Sequence, residues 1–149
     1  MRYLFALALL FILLDSVSMA GENQYIGSAA CLDCHEKEYS NFIKFAKKAD
    51  SFDHIKVMEK KLTPEEFKSC FSCHTTGYGK PGGFVSEDRT PDLKQPGCEV
   101  CHGPGRDHAQ TQDPDLIVGS PTMESCTVCH DESRVGSFKF KPLLFGGAH

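Results

Sequence analysis

The sequence predicts a mainly α fold with extensive irregular loops, in a single domain too small to be held together by its side chains alone. Three observations predict it. Segments with apolar residues at helical spacing alternate with stretches rich in Gly and Pro that keep no period. Eight cysteines fall into four identically spaced pairs, each followed directly by a histidine. The chain has 149 residues, enough for one compact domain and too few for two.

Composition narrows the class. The chain is 40% hydrophobic and 24% charged, with 16 Lys and Arg against 20 Asp and Glu and a formal net charge of -4. That balance has no basic footprint for a phosphate backbone and excludes nucleic acid as a partner. Residues 1–20 stand apart. Arg2 gives a short basic start, Leu4 to Leu14 form a run of 11 apolar residues, and Ser18-Met19-Ala20 offers the small residues of a cleavage site. The run is well short of the roughly 20 residues that cross a hydrocarbon core. We therefore read 1–20 as a signal peptide and 21–149 as one mature domain with no integral membrane segment, in the periplasm or outside the cell. Gly21 follows the cut where a lipoprotein needs Cys, and cleavage removes Arg2 and Asp15 together, so the net charge stays at -4.

The four motifs are Cys31 and Cys34 with His35, Cys70 and Cys73 with His74, Cys98 and Cys101 with His102, and Cys126 and Cys129 with His130. Two thiols three positions apart reach the two vinyl groups of one haem as thioethers, and the adjacent imidazole comes under the iron as proximal ligand. Zinc ribbons and reactive dithiols also use CxxC, but neither needs a His after every pair. With 7 His in 149 residues, four such His by coincidence have odds of about five in a million. The motifs therefore read as attachment sites for four c-type haems. A mature chain of 129 residues (149 minus 20) offers about 32 residues per haem, too few to wrap each macrocycle in its own apolar core. The expectation is a small multihaem c-type cytochrome in which stacked haems form the core.

Taken in order, 29–48 carries Tyr39, Phe42, Ile43 and Ala46 at helical spacing, so the first motif is expected to open an amphipathic helix with Lys44, Lys47 and Lys48 on its polar face. A second helix is expected from Phe52 to Lys61. Thr63-Pro64-Glu65-Glu66 then reads as an N-cap, a first-turn Pro and helix-favouring acids leading into the second motif. Residues 75–97 read as ordered loop, and the tail after Arg134 is sparse in helix signals. Residues 77–82 match the GxGxxG dinucleotide string, but a haem motif precedes it where a strand is required, and Pro81 and Gly83 obstruct a following helix. We read that loop instead as backbone approaching a porphyrin closely.

Seven His less the four proximal ones leave His54, His108 and His149 as candidate distal iron ligands, one short of four. His54 starts the second expected helix. His108 follows Gly103-Pro104-Gly105, a turn that reverses the chain and can aim it at another haem. His149 is the last residue and ligates only if the tail packs over a haem. Met58 and Met123 are the thioether alternatives, and both are read as core packing.

These residues form a familiar set. The first CxxCH, His54-Ile-Lys-Val-Met-Glu59, Cys70-Phe-Ser-Cys73-His74 with Gly77-Tyr-Gly-Lys-Pro-Gly-Gly-Phe84, Gly97-Cys-Glu-Val-Cys-His-Gly-Pro-Gly-Arg106 and the fourth CxxCH together resemble the tetrahaem cytochrome c-554 family, from about Tyr25 to His130. The resemblance implies an exported electron-transfer protein with closely stacked haem pairs, most irons bis-His, and a second haem without a distal protein ligand. His54 and His108 fall where the family has distal His, and His149 is in place as a C-terminal one. In the nitrifier member, electrons come from hydroxylamine oxidoreductase. Here the segment from His35 to His54 is longer, and the tail after the fourth motif much shorter, than in the family.

The function read from all this is an electron carrier between a redox donor and a redox acceptor protein, with no catalytic side chain. The lysines at 44, 47, 48, 56, 60 and 61 are a candidate docking face. The haem of His74 is expected to be five-coordinate, because the glycine loop behind it offers no sixth ligand, and NO or CO is its candidate small ligand. Two alternatives stay open. The five-coordinate haem could reduce a nitrogen oxide, or the chain could be a subunit of an extracellular filament in which a neighbour lends the missing His.

Overall fold

The computed structural model describes residues 22–131. The expected signal peptide, 1–20, the tail after Arg134 and His149 lie outside the described residues. Within them the chain forms short helices and 3-10 turns joined by irregular loops, with no β-strand, so the mainly α, loop-rich class holds.

The first motif does not open the helix that follows it. After the 3-10 turn Ser28–Cys31, the amides of Cys34 and His35 both bond to the Cys31 carbonyl (3.3 and 2.9 Å), which closes a separate turn. Helix α1, Glu36–Phe45, begins beyond it with Glu36 and Glu38 in its first turn and Lys44 in its last, the signs the helix dipole favours. Phe42 and Ala46 are buried on its inner face, while Ile43 is 51% exposed. A 3-10 turn, Lys47–Asp50, leads into α2, Ser51–Lys56. The single helix expected from Phe52 to Lys61 breaks at Val57 and Met58, where three-residue bonds (Met58 N to Ile55 O, 2.9 Å; Lys61 N to Met58 O, 2.8 Å) tighten the chain into the 3-10 turn Glu59–Lys61.

Helix α3, Pro64–Ser69, starts as its sequence demands. Thr63 Oγ1 accepts from Glu66 N (3.3 Å), Glu66 Oε2 accepts from Thr63 N (2.8 Å), and Pro64 fills the first turn. It delivers the chain into α4, Phe71–His74, the second motif. The loop 75–97 is ordered around buried Thr76. Its amide donates to Leu93 O (2.9 Å), its carbonyl accepts from Phe84 N (2.9 Å), and its hydroxyl donates to Gln95 O (2.7 Å) while accepting from Gly97 N (2.9 Å). Helices α5, Cys98–His102, and α6, Arg106–Thr111, follow on either side of the Gly-Pro-Gly turn, and α7, Met123–Thr127, carries the fourth motif.

A side-chain core stands beside the second motif, where Phe52, Ile55, Phe67, Phe71, Phe84 and Leu93 bury one another. Phe71 meets Phe67, Tyr78 and Phe84 edge to face at 5.1 to 5.4 Å, contacts worth about 0.5–1.5 kcal/mol each beyond their burial. The glycine loop packs closely on the protein itself. Gly77 has φ +70° and a Cβ there would stand 2.7 Å from the Tyr25 ring, while a Cβ on Gly83 would meet the Gly77 carbonyl oxygen at 1.7 Å. Met58 and Met123, expected in core packing, are instead 43% and 50% exposed; Met58 precedes the 3-10 turn Glu59–Lys61 and Met123 starts α7.

Candidate haem sites

Each CxxCH motif is one helical turn. The amide of the His, four positions on, bonds to the carbonyl of the first Cys in the first, second and fourth motifs (2.9, 3.0 and 2.9 Å), and the third lies within α5. Residues three and four apart share a helix face, so each turn presents two thiols and one imidazole together. The residue after the first Cys ties the turn to the body in two cases: Phe71 is buried in the aromatic core and Glu99 is 3% exposed. None of the eight cysteines is in a disulfide. Among the described residues no three His, Cys, Asp or Glu side chains converge as a metal cage would require.

Three of the imidazoles are held by their Nδ1 atoms. His74 Nδ1 lies 3.2 Å from the Ser51 carbonyl and 2.7 Å from Ser51 Oγ, His102 Nδ1 is 2.6 Å from the Val118 carbonyl, and His108 Nδ1 is 2.8 Å from the Asp113 carbonyl. A carbonyl can only accept, so Nδ1 donates in His102 and His108, while at His74 the Ser51 hydroxyl can equally donate to Nδ1. In His102 and His108 this is the tautomer and the second-shell bond that metal-ligating His uses. The loop 113–118 thus orients both His102 and His108. The Val118 amide also bonds back to the His102 carbonyl (3.0 Å).

His108 and His35 face one another, with ring centroids 6.2 Å apart and planes 29° from parallel. Two imidazoles that shared one transition metal, each nitrogen about 2 Å from it, would have their centroids about 6 Å apart. The Gly-Pro-Gly turn therefore carries His108 to the imidazole of the first motif. His54 is on α2 with its side chain 69% exposed, 3.8 Å from Asp50, and no second imidazole is brought to it among the described residues.

The motifs touch in a definite order. The thiols of Cys31 and Cys98 face each other: the Cys31 side chain pulls the Cys98 thiol down to about 6, and Cys98 together with burial pushes Cys31 up. Helices α5 and α7 are in contact. Burial, and then the nearby Cys101, raises the Cys126 thiol. Cys129 Sγ lies 3.9 Å from the Ser72 carbonyl of the second motif. The series runs first, third, fourth, second. Burial and nearby Lys48 hold the His130 imidazole below its ordinary range, which favours its neutral form.

Glu99 was not singled out by sequence reasoning. Its only signal is its place after the first Cys of a motif, where the second motif has a buried Phe.

The donor set fits covalently attached haem: paired thiols on one turn, a neighbouring imidazole, and in one case a second imidazole close to it. Fold and site together define a multihaem c-type cytochrome. The family described as cytochrome c554 and c-prime matches residues 30–103. Cytochrome c-554 of Nitrosomonas europaea is 32% identical over 110 residues, which cover 66% of this chain and 46% of that protein. The chain belongs to the cytochrome c-554 family. It spans less than half the length of that relative, and no solved structure matches it significantly.

Proposed function

We propose that this chain is an exported tetrahaem cytochrome that passes electrons one at a time between a donor and an acceptor protein. The observation that carries the reading is the contiguous series of four CxxCH turns, each touching the next through a thiol or a helix contact. When bound, the haems supply reversible one-electron chemistry at iron. The chain does the rest. Cys31, Cys34, Cys70, Cys73, Cys98, Cys101, Cys126 and Cys129 anchor the macrocycles, and His35, His74, His102 and His130 serve as proximal ligands. His108 would complete the first site together with His35, while His54 and His149 are candidates for two of the others.

The second site is left open in this reading. Helix α2 stands behind His74, on its Nδ1 side, so its own His54 is not carried across to the opposite face. One high-spin iron that takes NO or CO follows. The same open iron is all that the nitrogen-oxide reductase alternative has in its favour. A filament subunit stays as an outcome of the test.

Intact mass of the matured chain should equal the 21–149 polypeptide plus four haems, and low-temperature EPR of the ferric protein should show one high-spin iron in a dilute monomer. Fewer haems, or bound zinc, overturns the reading. Four low-spin irons only in a polymer favours the filament.

A further inference from the structure

Glu99 sits between the two cysteines of the third motif with 3% of its surface exposed. Its carboxylate accepts three backbone N–H groups. Oε1 takes Gly105 N (2.7 Å) and Ile26 N (3.0 Å), and Oε2 takes Gly27 N (2.8 Å) and shares Ile26 N (3.1 Å). The donors come from two distant parts of the chain. Ile26 and Gly27 lead directly into the turn Ser28–Cys31 of the first motif, and Gly105 is the N-cap of α6, which carries His108. Neutral bonds run alongside. Cys98 N donates to Ser28 Oγ (3.0 Å), and Asn23 bridges Pro104 O (2.7 Å) and Asp107 N (3.1 Å). Glu99 is the buried charge among them.

We propose that Glu99 is a positioning residue for the two haem sites built on the first and third motifs, holding Cys31 against Cys98 and His108 against His35 through one carboxylate. This rests on the reading that those motifs carry haem. The physical case lies in the donor count. A carboxylate offers acceptor lone pairs on both oxygens, and bonds to an ionised acceptor are the stronger kind. An amide of the same shape accepts at one end only and turns an NH2 toward Gly27 N–H or Gly105 N–H. A buried anion between two sites also opposes adding an electron to either.

The test uses the full chain matured with its haems, as wild type, Glu99→Gln, Glu99→Ala, Glu99→Asp and Phe84→Leu, the last loosening the core beside the second motif. The readouts are haem count by mass, ferric EPR, CO binding to the ferrous protein, and midpoint potentials by spectroelectrochemistry. Glu99→Gln should keep the haem count and shift two midpoints positive, leaving the others in place. Glu99→Ala should release His108, adding one high-spin iron and one CO-binding haem to the wild-type number, with partial recovery in Glu99→Asp. Phe84→Leu should leave the CO count unchanged. Glu99→Gln and Glu99→Ala with wild-type EPR, CO count and midpoints would overturn the proposal, and if Glu99→Ala does not mature, unchanged midpoints in Glu99→Gln overturn it alone. A wild-type chain without haem on the first and third motifs sinks the tetrahaem reading instead, whatever the variants do.

Discussion

His102 and His108 each give their Nδ1 proton to a backbone carbonyl, and a ring held there cannot turn about its own axis without losing that bond. The imidazole is then aimed before any metal arrives, which spares the ordering cost at the moment of ligation. For His108 the aim is at His35. Replacing His108 with Ala should therefore leave haem attachment intact and convert one low-spin iron to high spin, read by ferric EPR and by one added CO-binding haem in the ferrous protein. The same change at His54 separates a ligand from a solvated residue. Sequence spacing marks the proximal histidines because covalent attachment demands adjacency within five residues. It marks distal ones poorly, because their partner lies a whole fold away, as the 73 positions between His35 and His108 show.

The elements are too short to stand alone, so their ends and contacts decide them. Helix α3 has six residues and a full capping box, and Thr63→Ala should lower stability to chemical denaturation by about 0.5–2 kcal/mol. The Thr63 amide and hydroxyl hold the Glu66 carboxyl below its usual 4.5. A depressed folded value means that the contribution is present above the unfolded value and fades as pH falls through the folded one. The melting-temperature gap between wild type and Glu66→Gln should accordingly close on acidification below about pH 4.5. The capping box was legible because four consecutive residues carry it. The break at Val57 and Met58 was not, since nothing in the local pattern distinguishes five-member from four-member helical bonds. Phe52, 1% exposed and against Phe67, Phe71 and Phe84, is the centre of the core, and Phe52→Ala should cost about 3–5 kcal/mol by urea unfolding.

Over the whole molecule, charge is uneven. Lys56 is paired with Glu87 and Glu59, which removes it from the lysine docking face, whereas Lys48 lies within electrostatic reach of Cys126 and His130 of the fourth motif. Lys44 and Lys47 are exposed beside it, and Lys44 lies over the Phe45 ring at 5.0 Å. This patch on a net-acidic chain suits an acidic redox partner, with steering that falls as salt rises. On a gold electrode coated with carboxylates, the triple change of Lys44, Lys47 and Lys48 to Glu should cut the electron-transfer rate by about tenfold or more at low ionic strength, while Lys60→Glu with Lys61→Glu should not. A rate flat in salt for the wild type would reduce the patch to a solvated helix face.

The sequence by itself determined the four CxxCH turns, whose paired thiols and adjacent imidazole are local because spacing alone sets them on one helical turn, and the mainly α, loop-rich class followed from helical spacing interrupted by Gly and Pro. Tertiary structure alone decided which motifs neighbour one another, that His108 meets His35, and that Glu99 joins the first motif to the third. It also decided that six apolar residues close a core of their own. Those are contacts between segments about 20 to 70 residues apart, set by how buried N–H groups find acceptors and how aromatic rings find edges. No local pattern encodes a partner that only chain reversal brings within reach.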